Sequence, residues 1–247
     1  MSETLVVNEI YLSLQGESTF AGLPCVFVRL TACDLRCSYC DTAYAFTEGK
    51  KTPVEDVHGA VLRLAKPFEG QSTVIAPYRL PLVELTGGEP LLQRNSLSLM
   101  ERLCDDGFTV LIETSGAHDI SQIDPRVRRI VDLKCPSSGE VSRNRLENIA
   151  HLKAGDEIKF VIGTKEDYEW AREQIERHRL ASRCLLLMSW VEPLGAAQQH
   201  PTLKRPPEGA TPITRRELAE RIVADALPVR FQVQMHKVIW PKDARGV

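Results

Sequence analysis

Leu82-Val83-Glu84-Leu85-Thr86, followed at once by Gly87-Gly88-Glu89-Pro90, carries the most architectural information in this chain. A short apolar run reads as a strand, and the glycine pair before proline reads as the turn that ends it. Six other runs share this form: Val26–Leu30, Thr109–Glu113, Ile130–Lys134, Glu157–Ile162, Cys184–Met188 and Val229–Gln234. Between most of them the apolar period changes to that of a helix. Val54, Val57, Val61 and Leu64 form one stripe, and Leu97, Met100, Leu103 and Cys104 another. Further helices are expected from about Lys165 to Arg179 and from about Arg215 to Ala226. Thr52-Pro53-Val54-Glu55 and Thr214-Arg215-Arg216-Glu217 both read as capping boxes. Strands alternating with helices imply parallel pairing through right-handed crossovers, and the count is about six or seven βα units. The expected class is α/β, a partial (β/α)6-type barrel with loop insertions.

Polar residues gather just past the strands. Thr86 to Glu89 is one such tip; Glu113 to Gly116, Lys134 to Ser138, Ser189 to Glu192 and Gln234 to Lys237 are the others. Each alone is an ordinary turn. Together they suggest one shared mouth, because parallel α/β folds build sites at the carboxyl ends of their strands. Two stretches read as insertions, Lys66 to Pro81 and Gly195 to Ile213. Loops of that length serve as lids or variable surface. The rest is expected to form a single core domain spanning residues 1–247.

The 247 residues carry a formal net charge of −2 with no long basic run, which disfavours direct nucleic-acid binding. The 43% hydrophobic and 26% charged content is ordinary for a soluble globular protein. No apolar run approaches the roughly 18 residues of a membrane span. The first residues do not read as a signal peptide, so the expected compartment is the cytoplasm, where thiols stay reduced.

Seven cysteines is an odd number, and three of them fall within Cys33-Asp34-Leu35-Arg36-Cys37-Ser38-Tyr39-Cys40. That distribution suits a metal site better than a disulfide framework. Three thiolates on a four-iron cluster leave one iron open to a small molecule. A structural zinc site would need a second paired set of ligands, and His58, Cys104 and Cys135 do not provide one. Cys25, Cys104, Cys135 and Cys184 lack ligand spacing and read as packing residues.

This Cys-x3-Cys-x-x-Cys pattern, with Tyr39 before its last cysteine, resembles the signature of radical S-adenosylmethionine enzymes. Thr86-Gly87-Gly88-Glu89-Pro90 is similar to that superfamily's Gly-Gly-Glu-Pro motif. The resemblance implies a [4Fe–4S] cluster on Cys33, Cys37 and Cys40 and S-adenosylmethionine on the open iron. It places Ser38, Tyr39, Cys40, Asp41, Gly88, Ser115, Pro136, Ser137 and Ser138 at the cosubstrate.

A narrower resemblance spans nearly the whole chain. Ser13-Leu14-Gln15-Gly16-Glu17, Phe27-Val28-Arg29-Leu30, Cys40-Asp41-Thr42, Asp132 to Gly139 and Gln234-Met235-His236-Lys237 together resemble the 7-carboxy-7-deazaguanine synthase family. It implies a lyase that turns 6-carboxy-5,6,7,8-tetrahydropterin into 7-carboxy-7-deazaguanine with loss of ammonia, in the queuosine tRNA-modification pathway. The implied chemistry begins with hydrogen removal at C6 and continues through ring contraction. Leu14, Gln15, Gly16, Glu17, Arg29, Thr86 and His236 would contact the pterin, Arg29 by pairing with its carboxylate. Thr42 would help hold Mg²⁺, a cation that takes few protein oxygens and keeps other ligands. Without the family, Thr42 is a cap or turn residue and Arg29 pairs with Asp34 or Glu17; Asp41 either orients Thr42 or is a solvated turn residue. The resemblance also implies a homodimer and an electron donor such as flavodoxin or ferredoxin.

The sequence departs from the family pattern in places. Ser18 stands where glycine is usual, Met188 to Pro193 matches loosely, and Trp240 to Val247 is unmatched. The alternative readings are an activase for a glycyl-radical enzyme and a non-enzymatic iron–sulfur protein. The first leaves Gln15, Arg29 and Thr42 unexplained together, and the second lacks a fourth cluster ligand.

Overall fold

The computed structural model describes residues 3–70 and 78–247. Part of the insertion expected at 66–81, residues 71–77, lies outside the described residues. In chain order the strands are β1 (Thr4–Leu14), β2 (Pro24–Leu30), β3 (Lys50–Pro53), β4 (Leu82–Gly87), β5 (Val110–Thr114), β6 (Arg128–Asp132), β7 (Glu157–Ile162), β8 (Leu185–Trp190) and β9 (Arg230–Gln232). The helices are α1 (Val54–Ala65), α2 (Asn95–Asp105), α3 (Lys165–Arg177), α4 (Arg215–Ala224) and the short α5 (His236–Ile239).

All nine strands form one open sheet in the order β3-β1-β2-β4-β5-β6-β7-β8-β9. From β2 to β9 every neighbouring pair is parallel. β1 is antiparallel to both β2 and β3. The partial barrel is therefore a run of parallel strands with an antiparallel edge. Regular helices fill four crossovers. The connection from β5 to β6 has none, and that from β6 to β7 uses only 3-10 turns.

Alternation along the strands separates two apolar layers. Val26, Val28, Leu30, Val83, Leu85, Val110, Ile112, Val131, Ile158, Phe160 and Ile162 face α1 to α4 in the larger core. On the concave side Cys25, Phe27, Leu82, Leu111 and Ile130 join Phe20 as a plug at the amino ends of the strands. The next inward positions along those strands carry charge, Arg29, Glu84, Glu113 and Asp132, and Lys159 of the neighbouring β7 joins them. The plug thus forms a dry floor beneath a charged layer.

The gap between β1 and β9 is closed by the loop after β1. Gln232 Nε2 donates to the Ser18 carbonyl at 2.6 Å, and the Ser18 N–H donates back to Gln232 Oε1 at 3.1 Å. Met235 N–H donates to the Gly16 carbonyl at 3.0 Å. Ser18 makes this turn at φ 64°, the left-handed region that favours glycine.

Helix starts differ from the expected ones in two places. Thr52 pairs with Leu5 in the sheet, so it cannot cap α1; Pro53 occupies that position. Thr214 does cap α4, accepting the Glu217 N–H, but as a simple cap and not as the expected box. A full capping box opens α3, between Thr164 and Asp167.

Candidate active site

The mouth at the carboxyl ends of the strands is a single cavity of about 1380 Å³, counted with its open entrance. Cys33, Cys37, Cys40, Tyr39, Gly88 and Ser115 line it. So do Leu14, Gln15, Gly16, Glu17, Arg29, Asp41, Thr42, Thr86 and His236. Ser38, Pro136, Ser137 and Ser138 are not on this wall; they stand behind it. Ser38 donates from its hydroxyl to the Ser137 carbonyl at 2.6 Å and from its N–H to the Ser138 carbonyl at 3.0 Å.

The cysteine loop is held against β4 by backbone. Gly88 N–H donates to the Leu30 carbonyl at 2.9 Å, and Glu89 N–H to the Ala32 carbonyl at 2.7 Å. A Cβ on Gly88 would lie 2.0 Å from the Ala32 oxygen, and one on Gly87 would lie 2.2 Å from the Leu30 oxygen. The two glycines are needed because this tip runs against the chain entering the cysteine loop. Glu89, fully buried, ties the same tip to β5. It accepts Thr114 Oγ1 at 2.8 Å and the Ser115 N–H at 2.7 Å.

Burial pushes the thiols up, Cys33 to about 12 and Cys37 to about 11, so binding a metal group must displace their protons. Among the described residues no three His, Cys, Asp or Glu side chains converge on one point that a single ion could occupy. A four-iron cube places each cysteine on its own iron and needs no such point. Tyr39 Oη and Asp132 Oδ1, both of residues lining the cavity, are buried with no hydrogen-bond partner among the described residues. Buried polar atoms are normally satisfied, so these two fit a site completed by a polar ligand.

Across the cavity, one ammonium organises the charge. Lys159 Nζ lies 3.1 Å from Glu17 Oε2, is bonded to Glu113 and is 4.0 Å from Asp132. Burial would raise the Glu17 carboxyl, but Lys159 and then His236 hold it below the usual range. Glu84 lacks such a partner. Burial, then the neighbouring Glu113, pushes it well above its ordinary value. Its side chain accepts the Gln15 amide, while Gln15 Oε1 accepts the Glu17 N–H at 2.8 Å. The Gln15 side chain is thus used within the protein, bracing the loop to β4.

Arg29 pairs with neither Asp34 nor Glu17. Across the β1–β2 register its Nε meets Glu9 Oε1 at 2.7 Å, and an Nη donates to the Tyr11 hydroxyl at 2.8 Å. Asp41 is no solvated turn residue: Lys237 Nζ lies 2.5 Å from it and overcomes the effect of burial on its carboxyl. Thr42 precedes the 3-10 turn Ala43–Phe46, but its hydroxyl makes no cap bond there. Oγ1 shares a long hydrogen bond with Cys40 Sγ at 3.8 Å, and Thr42 lines the cavity. His236 packs on Gly16, where a Cβ would meet its Nδ1 at 2.4 Å. Burial lowers its imidazole, against Glu17 and Asp41, and favours the neutral ring.

Sequence reasoning missed the buried layer of Glu84, Asp132 and Lys159. The signal was a charged residue at an inward position of an otherwise apolar strand. It also missed the tail. Val247 lies on the wall, and Arg245 pairs with Glu48 at 2.7 Å while covering the Tyr44 ring. Cys25, Cys104, Cys135 and Cys184 are buried and free, as packing residues are.

Comparison with known proteins agrees with this geometry. The radical SAM superfamily model matches residues 28–179. A 7-carboxy-7-deazaguanine synthase of Koribacter versatilis is 40% identical, over 98% of this chain and 99% of its own. One from Chlorobaculum tepidum is 38% identical, over 98% and 97%. The crystal structure of QueE from Escherichia coli superposes with a TM-score of 0.63 at 22% identity, covering 94% of this chain and 95% of that one, which supports the shared fold. Cysteine loop, glycine tip and charged layer meet in one cavity, and the chain belongs to the 7-carboxy-7-deazaguanine synthase family of the radical SAM superfamily.

Proposed function

We propose that this chain converts 6-carboxy-5,6,7,8-tetrahydropterin to 7-carboxy-7-deazaguanine with loss of ammonia, a carbon–nitrogen lyase step in 7-deazapurine supply for queuosine. One observation carries the reading. A single cavity joins three thiols to a buried layer of carboxylates and cations. Such a layer suits a substrate that has a carboxylate and a guanidine-like edge.

Cys33, Cys37 and Cys40 hold the [4Fe–4S] cluster in this reading. When bound and reduced, the cluster and S-adenosylmethionine supply a 5′-deoxyadenosyl radical. Tyr39, Gly88 and Ser115 line the cosubstrate, with Ser38 and the Pro136–Ser138 turn supporting them from behind. Glu17 and Glu113 accept the N–H groups of the guanidine-like edge. Arg29 turns its remaining donors to the substrate carboxylate, with Glu9 and Tyr11 fixing the guanidinium plane. Thr42 offers its hydroxyl to Mg²⁺, and Asp41, held by Lys237, adds negative charge beside it. Neutral His236 and Thr86 complete the substrate wall, and the Phe20–Leu111 plug keeps water from below.

The core is one domain over residues 1–247, with 66–81 and 195–213 as insertions. No helix among the described residues is long and apolar enough to cross a membrane. The working context we infer is a cytoplasmic homodimer reduced by flavodoxin or ferredoxin. The test is anaerobic incubation of the reconstituted protein with S-adenosylmethionine, Mg²⁺, reductant and the carboxypterin, followed by mass spectrometry. Formation of 7-carboxy-7-deazaguanine with ammonia is expected. No turnover by cluster-loaded protein would overturn the reading.

A further inference from the structure

The cysteine loop has no regular secondary structure between Cys33 and Cys37. Besides the bonds to β4 and those from His118 and Arg143 to Asp34, one carboxylate and one ammonium far away in sequence hold the peptide groups of Arg36. Glu140 is 3% exposed. Its Oε1 accepts the Arg36 N–H at 2.6 Å, and its Oε2 accepts Lys204 Nζ at 2.8 Å. Lys204 closes the ring: its own N–H donates to the Arg36 carbonyl at 2.9 Å. The ammonium also donates to the Gly139 carbonyl at 2.7 Å. Both backbone groups of Arg36, the peptide between two cluster cysteines, are therefore held by this ring.

The stem of Lys204 is seated as well. Gly139 has φ +73°, and a Cβ there would come within 2.9 Å of Lys204 Cδ. Lys204 belongs to the 195–213 segment, whose His200 meets the Phe46 ring edge-on at 5.7 Å. Phe46 in turn carries the Arg36 guanidinium at 4.1 Å. Neither Glu140 nor Lys204 lines the cavity, so neither has a direct part in substrate contact.

We propose that Glu140 and Lys204 are positioning residues that clip the cysteine loop into the shape its cluster requires, so that the 195–213 segment acts as a clasp and not as a lid. The proposal rests on the reading that Cys33, Cys37 and Cys40 hold the cluster. Its physical basis is ordering. A short loop with three free thiols must give up conformational freedom to bind a rigid cube, and a charge-assisted ring built on a buried carboxylate removes part of that freedom in advance. Without the Lys204 ammonium, the Glu140 carboxylate stays buried with the Arg36 N–H as its remaining donor, and the ring that joins the two backbone groups of Arg36 is opened.

The experiment uses the full chain, reconstituted anaerobically with iron and sulfide. Lys204→Met should release its cluster to a ferrous chelator about tenfold faster than wild type, the order one charge-assisted hydrogen bond contributes. The EPR spectrum of the reduced cluster should broaden as the loop samples several shapes. Lys204→Arg, which keeps the charge and donors, should move both readouts back toward wild type. In the iron-free protein, amide exchange over residues 34–38 should accelerate in Lys204→Met. Release at the wild-type rate with an unchanged spectrum overturns the proposal. If Lys204→Met fails to fold, Glu140→Gln carries the same test with the same two outcomes. Failure of the cysteine reading is distinct: wild-type cluster content would then survive replacing all three cysteines with serine.

Discussion

Lys159 on β7 holds Glu17, from the loop after β1, with Nζ 3.1 Å from Oε2, and the same ammonium binds Glu113 on β5. A single buried cation thereby fixes two carboxylates that no local sequence relation connects. Lys159→Met leaves them uncompensated, with a third carboxyl, Glu84, nearby. The expected loss of folding stability at neutral pH is about 3–5 kcal/mol, the usual result of breaking a buried pair. The folded Glu17 carboxyl sits below its ordinary 4.5. Its contribution is therefore present above that value and lost as the pH falls through the folded one. Urea titrations should show the gap between variant and wild type shrinking toward acid. An equal gap under acidic and neutral conditions would contradict the assignment.

Glu84 has the opposite sign. Burial and Glu113 raise its carboxyl, so the folded state binds that proton more tightly than the unfolded chain. Stability from this group is present in acid and lost as the pH rises through its folded value. Glu84→Gln removes the titration and keeps an acceptor for the Gln15 amide. The variant should match wild type in mild acid and gain on it in alkali, by at most about 1.4 kcal/mol per pH unit. Denaturation at two pH values measures this. A variant destabilised equally at both would show that Glu84 is ionised and needed as such.

Most of the parallel sheet was legible because its strands are covered on both faces over much of their length. Leu82–Gly87 and Glu157–Ile162 announce themselves as apolar runs. β1 was missed because it is half-buried, with polar residues interspersed from Thr4 to Leu14. Its partner β3, Lys50–Pro53, contains no apolar run at all. The same pairing took Thr52 into the sheet and defeated the capping reading of Thr52-Pro53-Val54-Glu55. The Thr164–Asp167 box escaped because its third-position acid is aspartate, where the usual pattern has Glu or Gln. The cysteine loop and glycine tip were legible as motifs. The Lys159 layer was not, since one lysine in an apolar strand gains meaning only beside Glu113 and Glu17.

The glycine tip and the residue it touches give a paired prediction. Gly88→Ala would force its Cβ to within 2.0 Å of the Ala32 oxygen, so β4 and the cysteine loop must separate. A loss above about 2 kcal/mol is expected, as for overpacking against rigid backbone. Ala32 itself lies at φ 79°, where an L side chain is strained. Ala32→Gly should stabilise the iron-free protein by up to about 1 kcal/mol, the left-handed penalty less the flexibility that glycine adds to the unfolded chain. Thermal unfolding of both variants checks the pair. A destabilised Ala32→Gly would mean that its methyl packs more than its backbone strains.

Thr42 tests the magnesium assignment. Its hydroxyl is committed neither to the turn it precedes nor to any contact nearer than Cys40 Sγ at 3.8 Å. Thr42→Ala removes one hard oxygen and a long hydrogen bond to Cys40 Sγ but none of the three thiols, so cluster content should match wild type. Magnesium keeps other ligands, so binding should weaken and not vanish. Loss of one ligand bond of hydrogen-bond strength corresponds to roughly tenfold more Mg²⁺ for half-maximal turnover. Thr42→Ser retains the oxygen and should titrate as wild type does. Steady-state rates across a magnesium series decide it: superposable curves for Thr42→Ala and wild type would remove Thr42 from the metal site and leave its hydroxyl a packing feature of the turn.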